Sequence, residues 1–184
     1  MAGSLDLNYY LGKEIHCSCG HTHYSAVKRI DIDKGAVKRL PEHIRNFGYQ
    51  KIFMVADKNT WKAAGQAAAD ALAAAGIAYD KVILDYDEVI PDEHVIGEIL
   101  AAVCPGSDLI LAVGSGTIND LCKLISFRMG LDYIIYGYDL EPEVLRYVPT
   151  RKSSDVDGVV AGYSYLADTL FSWVSILVTA AFKV

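Results

Sequence analysis

The stretch LILAVGSGTINDLCKLISFRMG, residues 109–130, decides how this chain of 184 residues folds. An apolar run ends abruptly in Gly-Ser-Gly-Thr, and a helical pattern begins at once. The apolar positions of that pattern share one helical face, and they are Ile118, Leu121, Cys122, Ile125 and Met129. A continuous apolar run is typical of a strand buried on both faces of a parallel sheet. The stretch therefore predicts a buried strand at 107–116, a tight turn and a packed helix at 117–130.

Strands and helices alternate in the same way along most of the chain. Further strands are predicted up to about Asp33 and at residues 49–59, 77–86 and 131–138. Further helices are predicted up to about Asn46 and at residues 60–76 and 92–106. This alternation predicts an α/β fold, an open and mostly parallel Rossmann-like sheet with helices on both faces. Such sheets bind ligands at the carboxyl ends of their strands, so the turns there are the places to search.

Charge and composition exclude several classes of partner. The net charge is −6 with a pI of about 5.3, and acids and bases are interleaved, which argues against a nucleic-acid partner. Residues 1–10 lack the pattern of a signal peptide, and four scattered cysteines do not form a secretory disulfide framework. We expect a cytoplasmic location. The apolar run at residues 169–182 is shorter than the roughly 20 residues of a membrane span, so it predicts a buried helix and no membrane association.

The turn after the strand at 107–116 is a candidate phosphate site. Gly114 and Gly116 let the backbone approach a ligand closely, and the amides at the start of the following helix suit a pyrophosphate. Ser115 and Thr117 add hydroxyl donors. The loop is neither a P-loop nor the usual G-x-G-x-x-G, since Asn119 stands where the third glycine belongs. Spacing alone leaves open an ordinary strand-to-helix turn capped by Thr117.

The turn after the apolar run KIFMVA, residues 51–56, carries an acidic residue at its start. Asp57 is placed to accept hydrogen bonds from a ribose diol, and its charge would disfavour a 2′-phosphate. This favours NAD over NADP. The alternative for Asp57 is a helix cap or an ordinary surface aspartate. Asp57 precedes the glycine turn, whereas the usual dinucleotide fingerprint places the acidic residue roughly 20 positions after the glycines.

That inverted order accompanies a family resemblance. GSGTINDLCKLISFRMGLDYII, residues 114–135, resembles the glycine loop of the sn-glycerol-1-phosphate dehydrogenases. These enzymes form a superfamily with iron-containing alcohol dehydrogenases, glycerol dehydrogenases and dehydroquinate synthases. FMVADKNTWKAAG (residues 53–65) looks like their second strand and helix, and CSCGHTHYSAVKRIDIDKGAVKRL (residues 17–40) is similar to the lead-in of some bacterial members. The resemblance covers residues 16–135.

The resemblance implies roles for the residues of both turns. Gly114, Ser115, Gly116 and Thr117, with Asn119 and Asp120, would cradle the cofactor pyrophosphate and its surroundings, and Asp57 would bind the adenosine ribose. The implied reaction is reversible hydride transfer between a nicotinamide and dihydroxyacetone phosphate or sn-glycerol 1-phosphate. The implied organisation is an N-terminal extension at 1–25, an NAD-binding α/β domain at 26–136, and a divergent or truncated, partly helical tail at 137–184.

Departures from the family pattern change the expected activity. The family holds zinc or nickel with one aspartate and two histidines in a C-terminal helical domain, whereas the last histidine here is His94. The family's substrate loop has only a loose counterpart in VPTRKSSDVDG, residues 148–158. We therefore expect that the helical metal domain is largely missing, that the family metal does not bind here, and that the isolated chain binds nucleotide without turnover. The alternatives are a non-catalytic nucleotide-binding or homo-oligomerising module, or a glycerol-dehydrogenase-like enzyme.

The segment CSCGHTH presents four residues of zinc-ligand type at strict alternation: Cys17, Cys19, His21 and His23. Structural zinc sites favour two to four residues between paired ligands, and an extended run does not wrap readily around a tetrahedral ion. The sequence therefore predicts a polar N-terminal ribbon without a metal.

Overall fold

The computed structural model describes residues 11–24, 27–32, 35–114, 116–137 and 144–148. These residues lie in one compact unit, residues 8–151. Ser115 and the apolar run at 169–182 lie outside the described residues. In the part of the chain that is described, no helix combines the length and the apolar character needed to cross a bilayer.

Two sheets contain the strands of this unit. The small sheet is an antiparallel hairpin of β1 (Glu14–His16) and β2 (Thr22–Tyr24). The large sheet contains β3 (Arg29–Ile32), β4 (Lys51–Asp57), β5 (Ala78–Leu84), β6 (Leu109–Val113), β7 (Asp132–Gly137) and β8 (Val144–Val148). Its strand order is β3-β8-β7-β6-β4-β5. Strands β5, β4, β6 and β7 are parallel, which confirms the mostly parallel α/β sheet.

Helices cover both faces of the large sheet, as the sequence predicts. They are α1 (Leu40–Asn46), α2 (Lys58–Thr60), α3 (Gln66–Ala74), α4 (Glu93–Ala102) and α5 (Gly116–Met129). A 3-10 turn precedes α1, and a π-helical turn at Trp61–Gly65 joins α2 to α3. Alternate residues of β4 enter opposite cores: Met54 packs in the core of α1 and α3, and Val55 in the core of α4 and α5. This burial on both faces explains the continuous apolar run.

The sheet extends beyond the predicted domain boundary at residue 136. β8 lies at residues 144–148, inside the predicted tail, and it pairs antiparallel with β7 on one side and with β3 on the other. The edge of the sheet is therefore built from segments near the two ends of the described chain. The sequence missed this strand because its five residues carry no turn-bounded apolar run comparable with that of β6.

A charge cluster fixes the edge strand β3 to the segment around α1. Asp31, only 7% exposed, accepts hydrogen bonds from Arg29 Nε at 3.1 Å and Nη2 at 2.9 Å, and it contacts Arg39 and His43. Burial raises the pKa of Asp31, but hydrogen bonds from Arg29 and His43 outweigh it and hold that pKa below its ordinary value. The Asp31 carboxylate therefore links β3 to the segment around α1, and these contacts require its charged form.

Candidate functional site

The chain connections of the sheet define a crevice between β4 and β6. From β4 the chain leaves through α3 on one face to reach β5, and from β6 it leaves through α5 on the other face to reach β7. The two connections diverge at the carboxyl ends of β4 and β6, which is where open α/β sheets bind ligands. Ala56 and Val113 are paired neighbours at those ends, so the two turns predicted from sequence lie side by side.

Gly114 is required by the fold of the turn after β6. Its φ of +152° is rarely adopted by residues with side chains, and its amide donates to the Tyr136 carbonyl at 3.1 Å. A Cβ at Gly114 would lie 2.9 Å from Ile118 Cγ1 and 3.2 Å from Thr60 Cγ2. The glycine turn therefore packs directly against the turn that follows Asp57, and no larger residue fits there.

Gly116 differs from Gly114, because nothing in the described chain requires a glycine there. It is the first residue of α5, and a Cβ on it would meet no atom within 4 Å. The first turn of α5 carries no acidic residue, and Thr117 beside it is half-buried. Among the described residues nothing lies near this position, and the positive end of a 14-residue helix suits a bound anion.

Asn119 and Asp120 follow on the same helix. Asn119 is buried, and its Nδ2 donates to Asp120 Oδ1 at 3.3 Å. Lys123 Nζ donates to the same oxygen at 2.9 Å and balances its charge. Both partners of the Asp120 carboxylate belong to α5. Because Lys123 offsets its charge, Asp120 repels an anion at the start of the helix less than an unpaired carboxylate would.

Asp57 caps the helix that begins at Lys58. Its Oδ1 accepts hydrogen bonds from the amides of Asn59 at 2.7 Å and Thr60 at 2.8 Å, and the Thr60 hydroxyl accepts from the Asp57 amide at 3.0 Å. This is a reciprocal capping box. The cap that the sequence left as an alternative is therefore present. It uses one carboxylate oxygen, and among the described residues no hydrogen bond occupies Oδ2.

Carboxylates surround Lys58 on the β5 side of Asp57. Lys58 Nζ lies 2.6 Å from Asp87 Oδ1 and 3.5 Å from Asp85 Oδ1, both in the loop after β5. The hydrogen bond that Lys58 donates to Asp87 raises the pKa of Lys58, and the same bond lowers the pKa of Asp87. Two carboxylates thus meet one ammonium, and together with Asp57 they make this edge of the crevice net negative. Sequence reasoning missed the pairing because it joins loops after different strands.

Within the described residues, one group of three or more cysteine, histidine or acidic side chains is arranged to hold a metal: Cys17, Cys19 and His23. The premise that this run is extended is wrong, because it forms the tip of the β1–β2 hairpin. An aspartate with two histidines, the ligand set that the resemblance implies for the family metal, is not found among those residues. The described part of the chain therefore does not fit that ion.

The region that contains both turns matches a known family. The sequence profile of the iron-containing alcohol dehydrogenases matches residues 31–136, more than half of the chain. The chain belongs to the iron-containing alcohol dehydrogenase family. The match confirms the resemblance to that superfamily, and it includes every candidate residue of the two turns.

Curated relatives within this family are glycerol-1-phosphate dehydrogenases (NAD(P)+). The chain is 34% identical to that of Halalkalibacterium halodurans over 122 residues, with 64% of this chain and 31% of the relative covered. It is 32% identical to that of Geobacillus stearothermophilus over 122 residues, covering 64% and 30%. The chain therefore spans about three-tenths of the length of these relatives. Glycerol dehydrogenase from Schizosaccharomyces pombe shares the fold at a TM-score of 0.50 and 19% identity, covering 57% of this chain and 26% of that one.

Proposed function

We propose that the crevice between the carboxyl ends of β4 and β6 binds NAD. The observation that carries this proposal is the contact between the two turns, where Gly114 packs against Thr60 of the capping box that Asp57 begins. In the proposed complex the pyrophosphate lies on the backbone at Gly116 and Thr117, with Ser115, Asn119 and Asp120 around it. The adenosine ribose hydrogen-bonds to Asp57 Oδ2.

The charge beside the proposed ribose site favours NAD over NADP. Asp57, Asp85 and Asp87 outnumber Lys58, and a 2′-phosphate placed there would add at least one more negative charge. The curated relatives are named as NAD(P)+ enzymes, so NADPH is the appropriate second ligand for comparison. We expect NADH to bind more tightly than NADPH, most clearly at low ionic strength, where exposed charges are least screened.

We further propose that the chain is the cofactor-binding part of a cytoplasmic dehydrogenase. The proposed enzyme transfers hydride between a nicotinamide and dihydroxyacetone phosphate or sn-glycerol 1-phosphate. The support is the name carried by the relatives at 34% and 32% identity. The expectation that the isolated chain binds cofactor without turnover stays a prediction, and following NADH oxidation with dihydroxyacetone phosphate tests it.

Calorimetric titration with NADH tests the proposed site. Gly116→Val places a branched side chain where the pyrophosphate would lie, and Gly97→Val is the matched control, because a Cβ at either helical glycine meets no atom within 4 Å. We expect Gly116→Val to weaken NADH binding by more than about tenfold, and Gly97→Val to leave it unchanged. Equal affinity in both variants, or no binding to the wild-type chain at millimolar NADH, would contradict the proposal.

A further inference from the structure

The tip of the β1–β2 hairpin is a compact turn and not an extended run. The Cys17 amide donates to the His21 carbonyl at 3.0 Å, and the Gly20 amide donates to the Cys17 carbonyl at 3.1 Å. Gly20 has a φ of +85°, the left-handed conformation that lets the chain reverse within four residues. As a result, two cysteines of the turn and a histidine of the returning strand lie on the same side of the hairpin tip.

The three side chains bring soft ligand atoms to ion-binding distance. Cys17 Sγ, Cys19 Sγ and one nitrogen of His23 all lie within 4.8 Å of one another, and Cys19 Sγ lies 3.2 Å from His23 Nε2. Bond lengths of about 2.3 Å to sulfur and about 2.0 Å to nitrogen place the ligands of a tetrahedral zinc ion roughly 3.5–3.8 Å apart. Small side-chain rotations are enough to admit the ion, because these residues are exposed or half-buried.

The backbone of the turn also favours a bound thiolate. The Cys19 amide points at Cys17 Sγ at 3.5 Å, and such N–H···S contacts stabilise a negatively charged sulfur. All four cysteines of the chain are free thiols. Two thiolates and an imidazole select zinc-type ions over magnesium or calcium, which prefer oxygen ligands.

We propose that the hairpin tip binds one zinc-type divalent cation through Cys17, Cys19 and His23. Binding releases the two thiol protons to solvent, and water completes the tetrahedron in the fourth position. The ion closes the hairpin from its first cysteine to the returning strand. The three ligands belong to neither hydrophobic core, so the ion fixes the hairpin and not the large sheet. The proposal is independent of cofactor binding.

Cobalt substitution provides the direct test. The chain is stripped of metal, kept reduced with a phosphine, and titrated with Co²⁺ in buffer without other ligands. We expect one equivalent to produce thiolate-to-cobalt charge transfer and the intense visible bands of tetrahedral cobalt, and we expect Zn²⁺ to abolish both. A spectrum of octahedral cobalt without charge transfer, or no saturable binding, would overturn the proposal.

Variants assign the ligands. Cys17→Ser, Cys19→Ser and His23→Ala should each weaken Co²⁺ binding by roughly 100-fold or more, with unchanged circular dichroism of the sheet. Cys104→Ser and His94→Ala remove a thiol and an imidazole elsewhere and should change nothing. His21→Ala should also bind normally, because His21 is outside the cluster. Normal binding by the Cys17→Ser/Cys19→Ser double variant, or equal losses in the Cys104 and His94 controls, would refute the assignment.

Discussion

The crevice between β4 and β6 and the tip of the N-terminal hairpin are held in place by different means. The crevice rests on β6, which is buried throughout, and on β4, which is buried except at its two ends. Its glycine turn contacts both the turn after Asp57 and β7. The hairpin rests on two three-residue strands and one turn. A site in the crevice opens only when the core opens. A site at the hairpin tip is stabilised only by local hydrogen bonds and by the ligand that it binds.

Among the variants considered, Gly114→Ala should reduce the stability of the protein most. The added Cβ would lie 2.9 Å from Ile118 Cγ1, and the alanine would have to adopt a φ of +152°. We therefore expect a loss of about 3 kcal/mol in the free energy of unfolding. Urea denaturation measures this loss. Gly116→Ala should cost less than about 1 kcal/mol, since nothing lies near its Cβ. Equal losses in the two variants would show that the turn is not packed as described.

Asp31→Asn tests how much the contacts of the edge strand β3 contribute to the free energy of unfolding. The substitution leaves Arg29, Arg39 and His43 without their carboxylate, and we expect a loss of about 2 kcal/mol. The folded pKa of Asp31 lies below its ordinary value of 3.8, so its contribution is present above that pH and disappears as the pH falls through the folded pKa.

The same variant therefore gives a pH signature. The wild-type chain should lose stability below about pH 4, and Asp31→Asn should remove part of that acid-dependent loss. Urea unfolding at a series of acidic pH values compares the two. Parallel pH profiles would mean that the Asp31 contacts do not depend on charge.

Asp57 variants separate the cap from the proposed ribose contact. Asp57→Ala should cost about 1 kcal/mol in stability, and Asp92→Ala, which removes the cap of α4, is the matched control with a similar cost. Asp57→Asn keeps an acceptor for the cap but removes the charge, so it should narrow the preference for NADH over NADPH at nearly unchanged stability. An unchanged preference in Asp57→Asn would argue against a ribose contact.

The smallest effect on global stability is expected at the hairpin. Cys19→Ser should change the free energy of unfolding of the large sheet by less than about 0.5 kcal/mol, because the side chain is exposed. Hydrogen exchange should instead show that Zn²⁺ slows exchange of the hairpin amides and leaves β4 and β6 unchanged. Protection that extends into the sheet would show that the two regions are coupled.

Sequence reasoning succeeded where local pattern and burial agree. The apolar runs that became β4 and β6, and the helical stripe of α5, were predicted because both faces of a parallel strand and one face of a helix must be apolar. It failed where a distant partner decides the outcome. β8 exists through pairing with β7 and β3, and Lys58 finds Asp85 and Asp87 only when β4 and β5 are neighbours.

Two other features depended on details that no periodicity reveals. The π-helical turn at Trp61–Gly65 packs the Trp61 ring against Gly65, where a Cβ would lie only 2.5 Å from Trp61 Cε3. Lys81 Nζ lies 3.9 Å from the centroid of the same ring. The hairpin tip required the left-handed Gly20, which a strict alternation of cysteine and histidine conceals. In both cases the local structure depends on a glycine, at Gly65 for space beside the Trp61 ring and at Gly20 for its left-handed backbone.

The pairing of β3 with β8 also orders events during synthesis. Ile32 lies opposite Val144, so the edge of the sheet joins a segment made early to one made late. While the ribosome is still translating the residues between them, β3 has no strand to pair with, and closing so long a loop is slow and entropically costly. The Asp31 cluster needs only residues up to His43, so all of its members are synthesised well before β8.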